Sequence, residues 1–153
     1  MTSNPRFVQP RCWFENGRYR YQAAGTYDLS VYGPNGFFRA FKGQSGSPAS
    51  VNLRSTILYN LARSGITLRC QNLRTESTEL RIRNLYGSEV ITRVLDPGRV
   101  FEQFWSLEKV SCWYNVVISV DSEPDFQQQF AGHLETGRPC RTDPEIGAAR
   151  TRP

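Results

Sequence analysis

Lysine occurs only twice in the 153 residues, as Lys42 and Lys109, and histidine once, as His133. The net charge of +5 is therefore almost wholly an arginine charge. Those arginines run from Arg6 to Arg152 and alternate with acids, as in ESTELRIRN. No block of roughly five like charges forms, which excludes a polybasic tail. One histidine excludes the cluster of His and Asp ligands that a zinc phosphodiesterase needs. Cys12, Cys70, Cys112 and Cys140 contain no C-x-x-C pair, so zinc knuckles and ribbons are excluded too. No apolar run approaches the roughly 18 residues of a membrane-spanning helix. The opening MTSNPRFVQPRCW lacks a charged segment leading into an apolar one, so no signal peptide is expected within it.

Helical periodicity is also scarce, and what replaces it is alternation. Tyr27, Leu29 and Val31 interleave with Asp28 and Ser30; Ile66, Leu68 and Cys70 interleave with Thr67 and Arg69. Leu80 with Ile82, and Tyr114, Val116, Ile118 and Val120, repeat the pattern. A period of two marks strands with one dry face. The breakers RSG, RTES, YGS, DPG and SEP separate them at short intervals, which predicts antiparallel pairing. The predicted fold class is all-β, an antiparallel β-sandwich of immunoglobulin-like or Greek-key style with about seven to nine short strands. The stretch from Leu53 to Leu61 also admits a helical reading, but its neighbours favour a strand. Cys70, in phase with Ile66 and Leu68, is expected to be buried, and Cys12 with Cys140 is the better candidate for a bridge.

One phrase is written twice. Aligning Tyr27 with Tyr114, and allowing two extra residues in the later copy, places Phe37 on Phe126, Phe41 on Phe130 and Gly43 on Gly132. NGR at 16–18 and PGR at 97–99 open a strand before each copy. In the first copy Gly33, Pro34, Asn35 and Gly36 predict a hairpin corner, since proline presets one backbone angle and the next two residues tolerate positive φ. In the second copy DSEPDF is expected to turn through Pro124 and Asp125. A phosphate-cradling loop fits less well, because no helix follows and the second copy lacks the glycines.

YDLSVYGPNGFFRAFKG and CWYNVVISVDSEPDFQQQFAGHLETGRPCRTDPEIG resemble the C-terminal repeat domains of the bacterial phosphocholine-preferring phospholipase C family. The resemblance runs from about Pro5 to Ile146. In that family a large catalytic domain precedes two such modules. By this likeness residues 1–43 are the remnant of a first module, 44–50 a linker, 51–137 a complete second module and 138–153 a tail. The resemblance implies a non-catalytic accessory domain of a secreted or periplasmic enzyme that releases phosphocholine from phosphatidylcholine or sphingomyelin. Its implied partner is the catalytic domain of the parent chain, and it implies no cofactor.

The residues themselves offer little chemistry. A Ser–His–Asp triad needs only one histidine, but no G-x-S-x-G elbow is present. His133 reads as a hydrogen-bonded packing residue sharing a strand face with Glu135. Glu123 and Asp125 supply too few oxygens for calcium and read as a solvated turn. Trp13, Trp105 and Trp113 read as core or rim. No catalytic or metal-binding residue is assigned. Tyr27, Gly33, Pro34, Asn35, Gly36, Trp113, Tyr114, Phe126, Phe130, Gly132 and His133 form the structural motif. Phe37, Phe38, Arg39 and Lys42 are the candidate contacts with an anion or a phospholipid surface. A monomer that does not bind nucleic acid is expected. The competing readings are a carbohydrate- or surface-binding sandwich, a nucleic-acid binder prompted by charge alone, and a small hydrolase acting through His133.

Overall fold

The computed structural model describes residues 11–15, 18–22, 25–46, 50–137 and 143. The strands are β1 (Arg11–Glu15), β2 (Arg18–Gln22), β3 (Gly25–Tyr32), β4 (Phe38–Ser45), β5 (Leu53–Asn60) and β6 (Gly65–Asn72). They continue with β7 (Thr78–Asn84), β8 (Val90–Leu95), β9 (Val100–Ser106), β10 (Trp113–Val120) and β11 (Glu123–His133). A single 3-10 turn, Glu108–Val110, is the one helical element among the described residues. The stretch that admitted a helix is β5.

Two antiparallel sheets face each other: six strands in the order β3-β4-β11-β10-β7-β8, and three in the order β5-β6-β9. From β3 on, the chain changes sheets between β4 and β5, between β6 and β7, between β8 and β9 and again between β9 and β10, a Greek-key path. β1 and β2 form a separate two-stranded ribbon. The predicted β-sandwich is thus the observed architecture. Its core is built from the alternating sets read in the sequence. Ile66, Leu68 and Cys70 from the small sheet meet Leu80, Ile82, Tyr114, Val116, Ile118 and Val120 from the large one, and all are fully or almost fully buried. Period two delivers these side chains to one face while Arg69, Arg81 and Arg83 go to the other.

The doubled phrase has a direct structural meaning. Tyr27 pairs across the strands with Gly43, and Tyr114 with Gly132. At each glycine an added Cβ would meet the tyrosine hydroxyl at 2.7 Å. Each tyrosine ring lies over the bare backbone of its cross-strand glycine, covering a position that otherwise has nothing to pack. The two copies then join each other. Ala40 pairs with Gln129, Phe41 with Gln128, Arg39 with Phe130, Lys42 with Gln127 and Phe38 with Ala131. In the repeat alignment Ala40 and Gln129 are equivalent, as are Arg39 and Gln128, and Phe41 and Phe130. The register is therefore that of a two-fold axis passing between Ala40 and Gln129, with each repeat supplying one hairpin. Phe41 and Phe130 meet edge-to-face across it, 5.8 Å between ring centres.

Two details differ from expectation. The second hairpin turns at Asp121 and Ser122, not through Pro124 and Asp125, which lie within β11. A bulge follows, in which the step from Val120 to Ser119 is matched by the step from Glu123 to Gln127. This absorbs the extra residues of the second copy without moving Phe126 and Phe130 off the core face. β4 runs through Ser45, two residues into the stretch expected to be a linker. The side chain of Cys12, and Cys140 altogether, lie outside the described residues, so the expected bridge does too.

Gly132→Ala is expected to destabilise the domain by about 1–3 kcal/mol, because Tyr114 is buried and cannot yield its place. Gly43→Ala should cost less, since the half-buried Tyr27 ring has room to swing. Gly25→Ala meets no atom within 4 Å and should stay within about 0.5 kcal/mol of wild type. Urea denaturation of the three variants checks the order.

Candidate functional site

Most of the motif residues converge where the β3–β4 hairpin meets the ends of β10 and β11. Pro34 leads the turn, and Asn35 (φ 54°) and Gly36 (φ 69°) take the left-handed conformations expected of them. Gly33 donates its N–H to the Phe37 carbonyl at 2.9 Å, and Phe37 donates to Pro34 at 3.1 Å. The corner leans on the second copy. An added Cβ at Gly36 would come within 2.5 Å of the Trp113 ring, so glycine is required by contact as well as by φ. Asn35 Nδ2 donates to Glu135 Oε1 at 2.9 Å. The same carboxylate oxygen lies 3.2 Å from His133 Nδ1, and the His133 ring packs 4.7 Å from Trp113.

His133 is thus a packing residue, its side chain only 7% exposed. Its Nε2 is buried without a hydrogen-bond partner. Among the described residues no nucleophile is hydrogen-bonded to either ring nitrogen. No group of three metal-ligating side chains occurs among the described residues either. Glu123 is used structurally, accepting the Val51 N–H at 2.7 Å. Trp105 lies in the core with its indole N–H 3.4 Å from Glu89.

Behind the corner, Arg39 points into the mouth of the sandwich. Its Nη1 donates to the carbonyls of Phe38 (2.8 Å) and Ala131 (2.7 Å). Its Nη2 donates to the hydroxyls of Tyr59 (3.3 Å) and Tyr114 (3.1 Å), which are themselves 2.7 Å apart. The guanidinium lies 4.2 Å from the ring centre of Phe37 and 5.3 Å from that of Phe130. Planar delocalised charge suits such a box, because it can stack on rings while its edge donates in several directions. Burial, reinforced by the hydrogen bond shared with Tyr59, pushes the Tyr114 hydroxyl up to about 12, against the opposing pull of Arg39.

The four residues expected to meet an anion are not gathered on one surface. Arg39 and Lys42 fall on opposite faces of β4 by strand parity, and both are engaged within the domain. Lys42 pairs with Asp28 at 2.8 Å on an exposed face, where such a pair contributes little. Phe37 lies beneath Arg39, while Phe38 packs on Tyr32 with ring centres 4.9 Å apart. The inward role of Arg39 is the feature that sequence reasoning missed. A signal was available, since Arg39 shares its strand face with the core-facing Phe41.

Arg39→Ala should lower stability by about 1–3 kcal/mol by leaving part-buried acceptors unpaired. Arg39→Lys should recover less than half of that loss, because a single ammonium cannot serve two carbonyls and two hydroxyls together. In alkaline solution, the Tyr114 contribution to folding stability should be intact below about pH 10 and be lost as pH rises toward 12. The unfolded chain ionises its tyrosines near 10, while Tyr114 holds its proton to about 12. Cys70, pushed up to about 11 by burial, contributes in the same direction from a lower starting point. Urea midpoints between pH 8 and 12 should decline less steeply in Tyr114→Phe.

The chain matches the family model described as bacterial phospholipase C, C-terminal domain, over residues 18–44 and 53–133. These segments contain both copies of the doubled phrase. A non-hemolytic phospholipase C of Burkholderia pseudomallei is 37% identical over 127 residues, covering 80% of this chain and 18% of that protein. A hemolytic phospholipase C of Pseudomonas aeruginosa is 32% identical over 145 residues, covering 84% and 18%. A non-hemolytic phospholipase C from the same organism is 29% identical over 139 residues, covering 82% of this chain and 19% of that protein. The chain thus spans under a fifth of the length of these relatives. It belongs to the family of bacterial phospholipase C C-terminal domains.

Proposed function

We propose that this chain is a non-catalytic accessory domain of a phospholipase C, and that its work is to stabilise the catalytic domain. The observation that carries this reading is the match to a C-terminal domain model combined with a fold whose polar groups serve packing. The single histidine is spent on Trp113 and Glu135, and the most connected arginine is spent on holding the two repeats together. The whole enzyme would act outside the cytoplasm on choline phospholipids, as the resemblance implies. None of the described helices is long and apolar enough to cross a membrane.

A second reading gives the hairpin a role at the lipid surface. Tyr32 is exposed, and Phe37 is partly so, at the tip that also holds Phe38 and Arg39, with Lys42 further along β4. Against an electrostatic form of this role stand the internal commitments of Arg39 and Lys42. Free surface cations near an anionic bilayer contribute about 1 kcal/mol each, and these two are not free.

A chimaera separates the readings. The Burkholderia enzyme, truncated of the segment this chain matches, is compared with the same truncation carrying this chain in its place. The stabilising role predicts that the graft raises the melting temperature and restores phosphatidylcholine hydrolysis, while the isolated chain releases no phosphocholine. Unchanged melting together with salt-sensitive co-sedimentation of the isolated chain on anionic vesicles would instead support the surface role.

A further inference from the structure

The large sheet is wider than the sheet that covers it. β5 is an edge of the small sheet and lies over the line where the two repeats join, as shown by Tyr59 against Arg39 and Tyr114 and by the Gln128 side chain donating to the Leu53 carbonyl at 3.3 Å. Beyond β5, the inner face continues onto β3 without a cover among the described residues. Tyr27, Leu29 and Val31 stand there opposite Gly43, Phe41 and Arg39. Their parity is that of the core, yet Leu29 is 60% and Val31 54% exposed. The opposite face of β3 carries Asp28 and Ser30 beside Lys42 and needs no cover.

We infer that the β1–β2 ribbon of this same chain docks on that inner face and extends the small layer over the first repeat. Three observations support it. The face is continuous with an established sheet-to-sheet interface, so its chemistry is already that of a buried surface. The register of the ribbon pairs Cys12 with Tyr21 and Phe14 with Tyr19, while the alternate positions pair Arg11 with Gln22, Trp13 with Arg20 and Glu15 with Arg18. The register thus sets apolar residue types opposite one another at alternate positions and largely polar types at the positions between. Finally, β2 precedes β3 as β9 precedes β10, each after a GR pair, and β9 belongs to the layer that covers the second repeat.

The connection is long enough. Only residues 23 and 24 separate β2 from β3, and β2 does not pair with β3. Three steps of about 3.3–3.6 Å from Gln22 to Gly25 span roughly 10 Å. That equals the ordinary spacing of stacked sheets, about 10 Å. Gly25 has no atom within 4 Å of an added Cβ, which leaves the chain room to leave the sheet plane there. So short a tether also keeps the ribbon at high effective concentration over the face, favouring its own chain over a second copy.

Photo-crosslinking tests this in the intact chain at low micromolar concentration. Benzoylphenylalanine is placed at Leu29 or Val31 on the inner face, and at Ser30 on the outer face as the comparison. Intramolecular crosslinks from positions 29 and 31 to the peptide spanning 11–22, and none from position 30, are expected. Crosslinks from position 30 to that peptide, crosslinked dimers from positions 29 and 31, or no crosslink to 11–22 at all would each overturn the inference. As an independent readout, Leu29→Asp should speed amide hydrogen exchange in β1 and β2 at least about tenfold, with β6 and β10 unchanged. Unaltered exchange in β1 and β2 counts against docking.

Discussion

The pairing of β4 with β11 is the contact on which the rest of the large sheet depends. It joins the last strands of the two repeats antiparallel about a two-fold axis, with Ala40 opposite Gln129 at the centre. Without it, β11 would present a row of unpaired backbone groups along its free side, and β3–β4 would be a two-stranded ribbon, which is marginal alone in water. With it, one continuous sheet carries both repeats. Symmetry of this kind lets a single surface pattern complement itself, as in isologous dimers, but here within one chain.

The two halves of the sheet are equivalent in register and unequal in environment. At equivalent positions, Gln128 is buried and reaches the β5 backbone, whereas Arg39 sits at the opening and gathers two carbonyls, two hydroxyls and three aromatic rings. The difference follows from the small sheet, which covers one repeat and stops at the other. Where cover ends, the core needs a group that satisfies both apolar rings and polar edges, and guanidinium does both. Tyr114 belongs to the same boundary. Its ring shields Gly132 while its hydroxyl meets Arg39 and Tyr59.

Much of this was legible beforehand because strands advertise themselves by parity. Ile66, Leu68, Cys70, Leu80 and Ile82 could be placed on the core face from their spacing alone, and so could Tyr114 through Val120. The doubled phrase disclosed a repeat, and its tyrosine and glycine positions became cross-strand partners. Parity could not say which faces find a cover, so Leu29 and Val31 read like core although they remain largely exposed. Nor could it fix the second turn, because Pro124 suggests a corner in sequence while a bulge leaves it room inside a strand. Charge alone suggests an outward contact for Arg39, whereas the face it shares with Phe41 places it toward the core.

Cys70 carries one further implication. Its sulfur is wholly enclosed between the sheets, near the Ser55 hydroxyl, and burial holds its proton well above the ordinary range. Thiolate is the species that attacks disulfides and oxidants. An oxidising compartment would therefore find no reactive sulfur at this position once the sheets have closed. Vulnerability is confined to the interval between synthesis and closure, so the speed of folding, more than the redox poise outside, decides whether this residue survives reduced.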